Sequence, residues 1–503
     1  MFLITRYAAF LKGTRAGFMM ANPIQTPVNP RENIDPAVLK IAVILLVGGL
    51  APLFDTTMVN VAINTLTASL HTTMADIQWV ITGYLLAMSM TIPVSGWAVN
   101  RFGGKRMWLF SLGVFLCGSV LSALSWDVLS LIVSRIFQGI GAGLLIPILM
   151  TLTAQAAGGK NLGQIMSLMS LPALFAPIFG PVLGGIIVHT LGWHWIFFIN
   201  IPICIVAFVL AWHELPENKS SESDKTLDIT GILLLSPALA LLVYAISRVS
   251  SCGESFWLMV ITPLIVGIVL LGVFIIHATS VKKGSLLDIG LFKSRIFSAS
   301  CVLLFAIGAI SSGAMLLLPL YFQQVRGADV LFAGLWLIPE GLGMLLTRSW
   351  IGKLTDRIDS RVLVQAGLVV VIIGIVPFSF AGPDTSPLLI AATLFVEGIG
   401  LGGVLIPVMA SAYRGLDREQ IPHASSATRI FQLIGGAFGS AAIAVIIQHQ
   451  LQVTSGIAEV TTAYAGAFWW LAGLAIIAIL SAFALPLKEE DGTDPTGTLQ
   501  PVH

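Results

Sequence analysis

Apolar stretches about 20 residues long, separated by short polar connections, recur along the whole chain. They fall near 39–63, 76–98, 107–125, 129–152, 164–188, 193–213, 228–248, 255–277, 296–322, 328–351, 361–381, 386–410, 425–449 and 463–486. A run of roughly 20 residues at 1.5 Å per residue matches the hydrocarbon thickness of a bilayer, so each is predicted to be a membrane-spanning helix. Continuous runs of this length differ from the roughly ten-residue alternating segments of an outer-membrane barrel. The pattern predicts fourteen spans.

One stretch stands apart from simple hydrophobicity. Leu171 to Gly185 carries Pro172, Pro177 and Pro181, each lacking a backbone donor, and Gly180, Gly184 and Gly185, each lacking a side chain. Gly180 and Gly184 share one helix face, which lets a neighbouring backbone approach closely. Carbonyls freed by the prolines are tolerable only against protein or a wet cavity.

Composition agrees: 56% of the residues are hydrophobic and 10% charged, with a mean hydropathy of +0.93. This excludes a soluble globule. A net charge of +1 implies no nucleic-acid or acidic partner. The four cysteines and eight histidines show no metal-ligand or disulfide spacing, and no cofactor is implied. No Gly-x-x-x-x-Gly-Lys-Ser/Thr phosphate loop is present, which leaves an ion gradient as the energy source for any transport.

Sorting the connections by Lys and Arg puts most of them on the side of the two termini. Arg248 and Arg326 fall on the other, so both termini are predicted to be cytoplasmic. The organisation expected is an N-terminal tail (1–38), a six-helix bundle (39–213), a cytoplasmic loop (214–227), two inserted spans (228–277), a basic cytoplasmic segment (278–295), a second six-helix bundle (296–486) and a C-terminal tail (487–503). Residues 2–20 mix apolar positions with Arg6, Lys12 and Arg15. They read either as a basic interfacial helix or as leader ahead of a start at Met19 or Met20.

Two loops repeat. Gly96-Trp-Ala-Val-Asn100-Arg101-Phe-Gly-Gly-Lys105-Arg106 follows span two, and Gly352-Lys353-Leu-Thr-Asp356-Arg357-Ile-Asp-Ser-Arg361 follows span ten. Two homologous halves are implied, offset by eight spans because two helices are inserted between them.

A few charges break the bilayer rule: Asp55 in span one, Arg135 in span four, and Glu340 and Glu397 in the middle of spans ten and twelve. Each unpaired charge at helix centre costs roughly 2.5–3.5 kcal/mol, so each needs a partner, water or a proton. A carboxyl that trades a cation for an apolar environment takes up a proton, which is the physics of proton coupling. The alternative is a static pair such as Asp55 with Arg135, and Glu397, followed by Gly398, Gly400, Gly402 and Gly403, also reads as a packing position. Arg135, Gln138, Gly139 and Gly143 lie on one helix face. Arg348 and Arg429 sit nearer the inner ends of their spans, where long side chains can reach the surface.

Together these motifs resemble the fourteen-span drug:proton antiporters of the major facilitator superfamily. The repeated loops are similar to that superfamily's motif after span two. Leu131–Gly143 resembles its span-four motif, Ala176–Gly185 its span-five antiporter motif, Leu53-Phe-Asp55-Thr-Thr-Met-Val-Asn60-Val-Ala62 its first span, and Trp193-His-Trp-Ile-Phe-Phe-Ile-Asn200-Ile-Pro202 the opening of span six. The resemblance implies an all-α major facilitator fold, with two six-helix bundles around a central cavity that opens alternately to either side. It further implies proton coupling through Asp55, Arg135, Glu340 and Glu397, and a substrate cavity touched by Asp55, Gln138 and Glu340. A leak-proof antiporter motif would comprise Pro172, Pro177, Gly180, Pro181, Gly184 and Gly185. The cytoplasmic latch would be made of Gly96, Asn100, Arg101, Lys105, Arg106, Asp356 and Arg357. Asn100 stands where the family has Asp, and without a charge to offer a helix N-terminus the first latch is expected to be weaker. The expected activity is proton-driven export of amphipathic, often cationic, molecules across a bacterial cytoplasmic membrane. Two alternatives remain open: a dedicated exporter of one metabolite, fatty acid or self-made antibiotic, and a non-transporting membrane sensor.

Overall fold

The computed structural model describes residues 35–72, 74–158, 161–169, 171–217, 228–249, 256–280, 286–328, 330–451 and 457–485. The expected N-terminal segment 2–20 and the tail 487–503 lie outside the described residues. Among those described, every regular element is helical.

The N-terminal helices are α1 (Pro36–Ser69), α2 (Met74–Phe102), α3 (Gly104–Ala123), α4 (Val128–Ala157), α5 (Leu162–Met169), α6 (Leu171–Leu191), α7 (His194–Phe198) and α8 (Asn200–Glu214). Next come α9 (Ile229–Arg248) and α10 (Thr262–Ser280). The C-terminal helices are α11 (Arg295–Gln324), α12 (Val330–Leu335), α13 (Ile338–Arg357), α14 (Ser360–Ile375), α15 (Pro387–Tyr413), α16 (Ile421–Leu451) and α17 (Ile457–Ala482).

Local chemistry sets the starts. Pro36 opens α1, where its missing N–H is harmless, and Asp35 accepts from the Ala37 N–H at 2.9 Å. Asp127 and Ser130 form a reciprocal capping box on α4, whose hydrogen bonds hold the exposed Asp127 carboxyl below its ordinary value. At the other end of α4, Gly158 takes the left-handed conformation (φ 58°) that stops the helix.

Twelve helical stretches among the described residues are long and apolar enough to cross a membrane. The two remaining predicted spans, 164–188 and 328–351, also fall on helices. The first is α5 and α6. The second is interrupted: α12 ends at Leu335, and α13 starts at Ile338 with Pro339 in its first turn. Glu340 therefore does not occupy the middle of a continuous span. Pro339 cannot continue a helix from behind but readily begins one, and this leaves the Glu340 carboxyl at a helix N-terminus, where negative charge is favoured.

The packing repeats between the halves. α1 lies on α6 as α11 lies on α16, α2 on α4 as α13 on α15, and α3 on α4 as α14 on α15. Inserted helices α9 and α10 pack on each other, and α9 also lies against α2 and α16. Outward-facing side chains such as Leu233, Trp257, Ile268 and Ile276 are exposed. That is the normal state of a lipid-facing surface, since hydrocarbon replaces the protein core as their solvent.

Gly180 and Gly184 do face α1, the first against a side chain and the second against backbone. A Cβ on Gly180 would collide with Thr57, and one on Gly184 would stand 3.1 Å from Met58 Cα, whereas Gly185 faces open space. Pro172, Pro177 and Pro181 lie within α6, but their side chains are outside the described residues.

Candidate functional site: a buried charge cluster and two interlocking loops

Asp55, from α1, is completely buried and forms an ion pair with Arg135 of α4, itself 1% exposed. The Arg135 Nη1 also donates to Gln138 Oε1 at 2.6 Å, and the Gln138 Nε2 donates to Asp55 Oδ1 at 3.0 Å and to Ser119 Oγ at 2.7 Å. Asn200, at the start of α8, donates its Nδ2 to Asp55 Oδ1 at 2.8 Å. The guanidinium rests on the Tyr84 ring at 4.1 Å, with Phe197 at 5.6 Å.

Cation, carboxylate, amides and aromatic faces thus neutralise one another in the dry interior of one half, as a buried pair requires. Asp55 and Gln138 are fully buried in this conformation, and neither lines the cavity of about 90 Å³ between the halves. Asn200 and Ser119 were not singled out from sequence. The signal available was an amide inside an apolar run, already quoted in the Trp193–Pro202 motif.

The other two acids meet in the C-terminal half. Glu397 of α15 is 1% exposed, and the adjacent Gly398 abuts the Glu340 backbone carbonyl. The two carboxyls are close enough for their charges to interact, neither forms an ion pair among the described residues, and Glu397 Oε1 has no hydrogen-bond partner. The static pairing found for Asp55 does not extend to them. Arg348, expected to reach the inner surface, is buried at 6% exposure, and its carbonyl accepts from Ser167 Oγ at 2.6 Å. Arg429 is half-buried and lines a cavity of about 90 Å³ between the halves.

The described hydrogen bonds between the halves all lie toward the end that carries the repeated basic loops. Asp356, closing α13, accepts from the Gly163 N–H at 3.0 Å and from Gln164 Nε2 at 3.3 Å, at the start of α5. Asn100, closing α2, donates to the Glu419 carbonyl at 3.2 Å and lies 3.5 Å from His423 Nε2, at the start of α16. Ser95 meets Ser426 at 2.9 Å, Thr151 meets Ser425 at 2.6 Å, and Gln155 donates to the Arg418 carbonyl at 3.1 Å.

Glycines make this approach possible. A Cβ on Gly96 would stand 3.0 Å from the Pro422 carbonyl oxygen, and one on Gly352 would stand 2.9 Å from Gln164 Cα. Arg101, Arg106 and Arg357 are exposed and Lys105 is half-buried. Asn100 and Asp356 each reach across to the opposite half.

Residues 45–440 match the family model described as Major Facilitator Superfamily. The chain belongs to that superfamily. This transporter is 33% identical over 422 residues to the "Multidrug resistance protein B homolog" of Mycobacterium tuberculosis, an alignment covering 83% of this chain and 78% of that one. It is 30% identical over 394 residues to the "Multidrug export protein EmrB" of Haemophilus influenzae (77% and 76% covered) and 29% identical over 404 residues to the "Lincomycin resistance protein LmrB" of Listeria monocytogenes (80% and 85%). Among solved structures, the proton:xylose symporter XylE superposes with a TM-score of 0.61 at 16% identity, covering 88% of this chain and 94% of that one, which shows a shared fold.

Proposed function

We propose that this transporter is a fourteen-span, proton-coupled antiporter that exports amphipathic, drug-like small molecules across a bacterial cytoplasmic membrane, with both termini inside. The domain boundaries proposed are those of the expected organisation: bundles at 39–213 and 296–486 with an insert at 228–277. The observation that carries the reading is the Asp55–Arg135–Gln138–Asn200 cluster. A carboxylate this deeply buried is held only by its donors, and a movement of α1 against α4 that separates it from Arg135 raises its affinity for a proton. Arg135 then keeps Gln138 Oε1 and the Tyr84 face, so the released cation is not left bare. The loops around Asn100 and Asp356 serve as the cytoplasmic latch of the state described, closed on that side. Glu340 and Glu397 are the proposed second proton-binding locus. The relatives named for multidrug resistance and export support drug-like substrates.

One proton crossing with 100 mV supplies about 2.3 kcal/mol from the potential alone. The test is purified protein in liposomes with an imposed pH gradient, with dye movement and proton counter-movement recorded together. Asp55→Asn is expected to insert normally and remain monodisperse while gradient-driven transport falls at least tenfold. Dye flux that ignores the gradient in the unmodified protein would sink antiport.

A further inference from the structure

The cavity between the halves is lined on its apolar side by Met150, Met166, Met169 and Met409, and on its polar side by Arg429 and Gln432. Arg429 is the one formally charged group among the described lining residues. Its Nη1 donates to Gln432 Oε1 at 2.8 Å, and it has no carboxylate partner among the described residues. A guanidinium carries five N–H donors in a planar fork suited to two oxygens of one anion, so most of its bonding capacity is unspent. Gln432, its oxygen turned to Arg429, presents its NH2 group as a further donor. The acids that would attract a cation are elsewhere: Asp55 is sealed and ion-paired, Glu397 is buried, and neither these nor Glu340 line this cavity.

We propose that the cavity binds amphipathic organic anions, with a carboxylate or sulfonate held by Arg429 and Gln432 and the apolar body against the methionines. This rests on the export reading above and reverses the cationic preference expected from the sequence. Soft, unbranched methionine side chains accept varied apolar shapes, while the fixed cation selects the charge. At about 90 Å³ the cavity has room for an anionic head group and a few waters, and a drug-sized body requires the halves to part. Tyr84 links this site to the buried pair: its ring lies on Arg135, and its hydroxyl lies in the field of Arg429. An anion arriving at Arg429 therefore changes the potential beside Asp55.

The test compares binding of pyrenesulfonate and of ethidium, an amphipathic anion and an amphipathic cation, to the full chain in neutral detergent. The same probes are then followed in pH-gradient efflux from liposomes of zwitterionic lipid. Sulfonate affinity is expected to fall at least tenfold in Arg429→Gln and only a few-fold in Arg429→Lys, with ethidium unweakened in either. Gln432→Leu gives an intermediate loss and serves if Arg429→Gln is not monodisperse. Added phosphatidylglycerol that displaces the sulfonate identifies lipid as an occupant, and failure to displace it identifies soluble anions; both leave the site selective for anions.

Sulfonate binding untouched by Arg429→Gln, or ethidium preferred by the unmodified protein, overturns the proposal. If ethidium is then expelled against protons, the export reading survives alone. If the sulfonate binds through Arg429 but neither probe responds to the gradient, the site survives and the export reading falls.

Discussion

Asp356 and Asn100 hold matching places at the ends of α13 and α2, yet one accepts hydrogen bonds and the other donates them. Asp356 takes the Gly163 N–H, an orphan donor of the first turn of α5, so its charge faces a helix N-terminus. Asn100 meets the turn before α16, where the groups on offer are the Glu419 carbonyl at 3.2 Å and, farther off at 3.5 Å, His423 Nε2. An aspartate there would set acceptor against acceptor at the nearer of the two. The amide at position 100 is therefore fitted to its partner, and what looks in the sequence like a lost charge is a change in the kind of bond. The halves share one scaffold, and the chemistry of each loop contact is decided by what the opposite half presents.

The sharpest way to break this symmetry is steric. Gly352→Ala sets a Cβ against Gln164 Cα, backbone that cannot swing aside, and overpacking of this kind costs about 1–3 kcal/mol. Cysteine-accessibility labelling of the basic loops should rise strongly, and Gly96→Ala should do the same through the Pro422 carbonyl. Unchanged labelling in both would deny that these loops hold the halves together.

Next in size is Asp356→Ala. Loss of a helix-capping acceptor costs about 0.5–2 kcal/mol, so the same labelling should increase roughly 2- to 30-fold. Asn100→Asp is expected to have a smaller effect and the opposite sign from a restored family pattern. It should loosen the latch at neutral pH, and tighter closure in this variant would show that charge, not bond polarity, governs the first loop.

The smallest effect concerns the insert. Asp228 caps α9 through the Gly231 N–H at 2.8 Å, lies 2.9 Å from His277 Nε2, and accepts from the Leu286 N–H at 3.2 Å. Burial pushes its carboxyl up, but the bonds from Gly231, His277 and Leu286 and the charge of His277 outweigh that and hold it below the ordinary value. A depressed folded value means the stabilisation is present at neutral pH and is lost as pH falls through that value. Thermal stability should therefore drop on acidification below about pH 4, by less in Asp228→Asn than in the unmodified protein.

Much of the scaffold was legible because the bilayer imposes a coarse rule. A span must be long and apolar, and a charge within it announces itself, as Asp55 and Arg135 did. Ser119 and Asn200 were harder to read, since uncharged polar groups blend into apolar runs and their partners come from distant helices. The break before Glu340 was hidden because Pro339 is equally consistent with a kink and with a fresh start. Arg429 was misplaced for a related reason. Distance from the end of a span gives depth in the membrane, but the direction in which a side chain points depends on the neighbouring half.

The inserted pair has a mechanical consequence. α9 is pinned to α2 through the Ser236 hydroxyl on the Met90 carbonyl at 2.6 Å and the Trp79–Tyr244 stack, while the Leu286 carbonyl just beyond the pair lies 3.2 Å from His423 Nδ1 at the head of α16. The inserted pair therefore bridges the halves, touching α2 of the first and α16 of the second. In the export cycle proposed above, any motion of one half against the other has to bend or shift this bridge, so stiffening it would slow turnover at a distance from every residue that meets cargo.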